Sequence, residues 1–77
     1  MYSITVFYNP IESNHVDFQT PEGWSWVGRG KEVSSGLCDW QITGDDMSVF
    51  YNILKKCEYF VFMGKIKKEF EIIVSRL

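Results

Sequence analysis

The chain holds one histidine and two cysteines among its 77 residues, and each scarcity removes a class of chemistry. With His15 the only imidazole, a Ser-His-Asp triad, a Cys-His pair or a histidine-rich zinc site would have to be built on that one side chain. His15 falls in the polar phase of an alternating stretch beside Asp17, which fits a solvent-facing strand histidine more simply. Cys38 and Cys57 stand far from any CxxC or related metal-ligand spacing. They are expected to be two buried free thiols acting as small hydrophobes. A disulfide closing this loop would add about 3 kcal/mol, but such bonds belong to secreted proteins, and the N-terminus carries neither the basic region nor the apolar core of a secretory signal. No run approaches the roughly twenty apolar residues of a membrane helix. The expectation is a cytoplasmic protein with no membrane partner, no metal and no cofactor.

Nucleotide-binding signatures are equally thin. Gly28-Arg29-Gly30-Lys31 has the glycines and basic side chains of a phosphate cradle, but Val33 stands where GxGxxG needs its third glycine, and GxxxxGK[ST] is missing. A hairpin connection extending to Gly36 accounts for these residues with fewer assumptions.

What the chain does have is apolar and aromatic material. Hydrophobic residues make up 45% of it and 17% is aromatic, enough for a real core and against disorder. This length makes one small domain, residues 1–77, with stability of only a few kcal/mol. The net charge of −2 draws it to neither nucleic acid nor an anionic surface. The charge is unevenly spread: residues 1–46 carry seven acids and two bases, whereas residues 47–77 carry three acids and six bases.

Tyr2 to Tyr8 alternates as a strand, with Tyr2, Ile4, Val6 and Tyr8 on one face, and Asn9-Pro10 stops it. His15 to Thr20 alternates again before a Pro21-Glu22-Gly23 turn. Trp24 to Val27 forms a short third strand and Leu37 to Ile42 a fourth, with Cys38, Trp40 and Ile42 inward. Thr43-Gly44-Asp45-Asp46 has the form of a capping box. The apolar stripe Met47, Phe50, Tyr51, Leu54 and Cys57 then predicts a helix of about three turns ending in Lys55 and Lys56. Tyr59 to Met63, apolar without a break, reads as a strand buried on both faces. Gly64 to Lys68 follows as a lysine-rich hairpin connection. In Phe70 to Val74, helical and strand spacings compete, and the consecutive branched residues Ile72, Ile73 and Val74 favour a strand. The fold class is α+β: a small antiparallel sheet of about 5–6 strands, in the order ββββαββ, with one α-helix packed on one face. One such helix leaves the sheet's second face uncovered, with Phe7 and Ile73 on it.

Four candidate sites follow. Trp24 and Trp26, on one face of the third strand, are either core or rigid anchors of a protein interface that Arg29 and Tyr8 would join. Lys65, Lys67 and Lys68, with Lys55, Lys56 and Arg76, make the basic half, suited to a nucleic-acid backbone if nearby aromatics stack bases. Glu69 and Glu71 share a strand face and would suit a general acid and base inside a cleft, though with Lys67 they read better as a charged, aggregation-resistant edge. Asp45 and Asp46 are accounted for by capping. The expected function is a non-enzymatic protein-binding domain that inhibits a larger partner protein, in the manner of a phage-encoded anti-defence protein, anti-CRISPR or anti-restriction in type, or of an immunity protein or antitoxin. The alternative is a small nucleic-acid-binding module using the basic C-terminal half. A homodimer is compatible with either.

Overall fold

The computed structural model describes residues 1–12, 16–29 and 37–77. The fold is α+β, as the alternation predicts, with four strands and one helix: β1 (Tyr2–Tyr8), β2 (Ser25–Arg29), β3 (Cys38–Gly44), α1 (Val49–Phe62) and β4 (Glu71–Arg76). The sheet is antiparallel in the order β2-β3-β1-β4. The first strand is therefore interior, and the last lies at an edge.

Opposed residues of an antiparallel pair point to the same face, so the register sorts the side chains. Ile4 lies opposite Ile42 and Val74, and Val6 opposite Trp40 and Ile72. Together with Tyr8 and Cys38 these residues form the face that α1 covers. Ile4, Val6, Tyr8, Cys38, Trp40 and Ile42 are buried there with Ile53, Cys57 and Phe60 of the helix. The opposite face carries Ser3, Thr5 and Phe7 of β1 beside Gln41, Thr43 and Ile73.

Four expected elements are revised. Tyr59 to Met63 is not a strand: Tyr59 to Phe62 form the last turn of α1 and Met63 is its C-cap. Ile53, Cys57 and Phe60 recur at helical spacing and are the buried stripe: of the expected Met47, Phe50, Tyr51, Leu54 and Cys57, only Cys57 belongs to it, with Met47 packed partly buried against the core. Tyr51 of that set is mostly exposed. The helix passes Lys55 and Lys56 because nothing stops it before Gly64. There φ turns to 72°, and the amides of Gly64 and Lys65 donate back to the carbonyls of Val61 and Phe60 at 3.0 and 2.9 Å, the Schellman arrangement for which glycine is suited.

The helix start moves as well. Thr43 and Gly44 belong to β3, held extended between Ser3 and Ser25. Asp46 makes the turn instead: its Oδ1 accepts from the Ser48 amide at 3.0 Å and its carbonyl from Val49 at 3.5 Å. The hydrogen bonds from the Ser48 side chain and amide hold the Asp46 carboxyl below its ordinary value.

Residues 16–20 are irregular, and His15 lies outside the described residues. The inward phase of that stretch survives in Phe18, which is buried 5.4 Å from Tyr8, 5.0 Å from Trp40 and 5.1 Å from Phe60 between ring centroids. It plugs the gap between sheet and helix and so has no place in the sheet plane. Gly64 to Lys68 becomes a helix-to-strand connection rather than a hairpin, because no strand precedes it. Ile66 is buried and bridges to Pro10, with the Lys67 amide on the Asn9 carbonyl at 2.8 Å. The strand reading of the C-terminal segment holds as β4.

Candidate protein-interaction surface

The helix that closes the core also turns an unusual face to solvent. Tyr51, Lys55, Glu58 and Phe62 recur every three or four residues and so share one stripe. This stripe lies opposite the buried one. Phe62 is 85% exposed and Tyr51 61%, and Tyr59 and Met63 beside them are about half exposed. Charged side chains lace this surface. Lys55 sits 5.2 Å from the Tyr51 ring centroid and 3.7 Å from the Glu58 carboxylate. Lys56 lies 5.0 Å from the Tyr59 ring and 5.2 Å from Phe60. Each exposed cation–ring contact is worth roughly 0.5–1 kcal/mol. The Tyr51 hydroxyl, accepting from the Lys55 ammonium, holds that group above its ordinary value, and Glu58 adds to the effect.

The four residues expected at an interface are separated by the fold. Tyr8 is fully buried and Trp24 only 7% exposed, so both are core and neither can meet a partner in this conformation. Trp24 precedes β2 and lays its ring over Gly44, and its Nε1 donates to the Asp46 carbonyl at 3.1 Å. Trp26, opposite Ile42 at the sheet's edge, is 57% exposed above a shallow hollow of about 300 Å³ lined by Asp17, Phe18, Thr20 and Trp40. Arg29 closes β2 in register with Trp40. Trp26 is thus the tryptophan an interface could use.

Lys65, Lys67 and Lys68 are exposed and follow directly on Gly64, next to Phe62 and Met63. Beside Lys65, a cleft of about 510 Å³ is lined by Glu12, Val16, Asp17, Phe60, Met63 and Gly64. Glu69 and Glu71 border a second groove of about 450 Å³, on the open sheet face, with Phe7, Leu37, Phe70 and Ile73. Both carboxylates are exposed, and Glu71 opens β4 whereas Glu69 precedes it, so the two do not lie on one strand as the alternation predicts. Both cysteines are buried thiols, and burial, with a smaller effect of the Glu58 charge, pushes Cys57 up to about 12. Gly30, Lys31 and Val33 to Gly36 lie outside the described residues. Among the described residues, no group of three or more His, Cys, Asp or Glu side chains could hold a metal, and no helix is long and apolar enough to cross a membrane.

Sequence reasoning missed Tyr51, Tyr59, Phe62 and Met63 as surface residues. Carrying the helix to Gly64 finds them, because Ile53, Cys57 and Phe60 then define the inward side and these four fall outside it. No family model, curated protein or solved structure matches this chain.

Proposed function

We propose that the chain is a non-enzymatic binding domain for a larger protein, engaging it through the outer face of α1. The observation that carries this reading is the exposure of Tyr51, Tyr59, Phe62 and Met63 on a helix whose opposite side already fills the core. Aromatic residues and methionine are enriched at protein interfaces and tyrosine among their hot spots, and clustered apolar surface on a small domain marks an interaction site. Lys55, Lys56 and Glu58 form a polar rim around them, and Trp26 adds a further anchor at the sheet edge. Occupying a partner's surface in this way suits an inhibitor, of the anti-defence, immunity or antitoxin kind.

The test is capture from native-host lysate with a photo-crosslinking residue at position 58 in the polar rim, with and without nuclease and at low and high salt. A stoichiometric protein that withstands nuclease and salt, and is lost from Phe62→Ala and Tyr59→Ala, supports the reading. The exposed lysines beside Phe62 also suit a nucleic-acid backbone, with the ring available for stacking. Recovery of nucleic acid that falls steeply as salt rises, and is lost on replacing Lys65, Lys67 and Lys68, would establish that function instead.

A further inference from the structure

The two broad sides of the molecule carry opposite charge around apolar surface. On the open side of the sheet, Phe7 stands in register between Asp39 of β3 and Glu71 of β4. Neighbouring strands lie about 4.8 Å apart, so the two carboxylates straddle the ring at roughly 10 Å. Glu69 joins them at the groove that Phe7, Leu37, Phe70 and Ile73 line. The other residues of this face in β1, β3 and β4 are Ser3, Thr5, Gln41, Thr43 and Ser75, and no base is among them. Among the described residues, none forms an ion pair with Asp39, Glu69 or Glu71. The outer face of α1 is the complement. Tyr51, Tyr59, Phe62 and Met63 are exposed there beside Lys55 and Lys56, and Glu58, the one acid of the helix, is engaged by Lys55.

We infer that the outer face of α1 docks on the open sheet face of a second copy of this chain, with Tyr59 and Phe62 over the groove beside Phe7 and Ile73, and Lys55 and Lys56 against Glu69 and Glu71. Charge selects this arrangement. Two open faces would set carboxylate against carboxylate, and two α1 faces would bring two positive surfaces together, whereas α1 on the open face joins base to acid and ring to apolar groove. The dimensions agree: the fourteen residues of α1 span about 21 Å, and the outer strands of a four-stranded sheet stand about 15 Å apart. A basic, apolar segment of another protein would meet the same requirement, but every copy of this chain already carries one. The two surfaces lie on opposite sides of one molecule, so the contact is not reciprocal. Each docked pair keeps one free surface of each kind, and association continues head to tail instead of closing at two. Docking covers Tyr51, Tyr59 and Phe62, so self-association and a larger partner compete for α1. The inference does not depend on that partner.

Sedimentation of the full chain across a concentration series, at low and high salt, tests it. The expected average mass rises past two copies without a plateau and falls back as salt is added. Glu69→Lys with Glu71→Lys, and separately Lys55→Glu with Lys56→Glu, alter only exposed side chains. Both variants should keep the native circular dichroism, while each alone self-associates at least about tenfold more weakly. An equimolar mixture of the two should regain association, because the α1 of each then meets an open face of opposite charge. A monomer at every concentration overturns the inference, as does a mass that stops at two copies, a mixture that stays apart, or a variant that associates like the native chain. If a charge-reversed variant fails to fold, the amide shifts of the native chain on dilution decide. Tyr59 and Phe62 moving together with Phe7 and Ile73 supports the docking, and movement on only one of the two faces overturns it.

Discussion

Gly44 is the residue on which the seating of the helix depends. A Cβ there would overlap the Trp24 ring at Cγ, Cδ2 and Cε2, so the indole can lie on the backbone only where that backbone has no side chain. Gly44→Ala is expected to destabilise the fold by about 1–3 kcal/mol through overpacking, read as a lowered urea midpoint with little change in slope. Trp24→Phe keeps much of the ring but removes the Nε1 bond to Asp46, and should cost less than Gly44→Ala. If Gly44→Ala melts like the native chain, the stacking of Trp24 on β3 is wrong. Trp24 and Trp26 show what residue-level reading can reach. Alternation placed both on one sheet face, and that is where they are. Which of them is covered depends on the turn through Asp46 closing over Trp24 and on β2 being an edge, and both are relations between distant segments. Cys57 carries a prediction in pH. Its folded value of about 12 lies above the ordinary 9.0, so in the folded chain the thiol keeps a proton that the unfolded chain releases. Stability is unaffected by this group below about pH 9 and falls as pH rises from there towards 12. Comparing the pH dependence of unfolding with that of Cys57→Ala checks it: the downward slope over that range should be shallower in the variant.

At the scale of the element, α1 turns on the contrast between two phenylalanines two residues apart. Phe60 is buried against Phe18, and Phe62 points to solvent. Phe60→Ala should cost about 3–5 kcal/mol, enough to unfold a domain of this size, whereas Phe62→Ala should change stability by no more than about 0.5 kcal/mol. Equal losses from the two, measured by thermal melting, would return the segment to a strand buried on both faces. The boundaries of α1 were hard to read for a physical reason. Five apolar residues in a row satisfy the inward side of a helix and both faces of a strand at once, and Thr43 offered a cap that sheet pairing had already claimed. Gly64 was the available signal for the end of the helix. In β4 a helical spacing competed with the strand spacing, and the consecutive branched residues Ile72, Ile73 and Val74 decided for the strand, to which β1 offered an unpaired edge.

For the whole molecule, the strand order decides how the chain holds together. β1 is made first yet lies between β3 and β4, and Tyr2 pairs with Arg76 at the far end of the sequence. Alternation identified β1 and β3 as strands with their inward residues, but it could not show that β4 returns to lie beside β1. That neighbour is fixed by long-range closure, with Ile66 anchored on Pro10. The same closure explains why the interaction face went unseen: α1 must sit over Ile4, Val6 and Trp40 before its other side can be recognised as surface. Without β4, the row Ile4, Val6 and Tyr8 would border an open edge, and a domain with only a few kcal/mol in hand could not sustain that exposure. A chain ending at Phe70 should therefore lack cooperative melting and native dispersion of its β1 and β3 amides, even though every residue of α1 is present. Native-like dispersion in that shortened chain would show that β1, β3 and α1 form a self-sufficient core and that β4 merely decorates it.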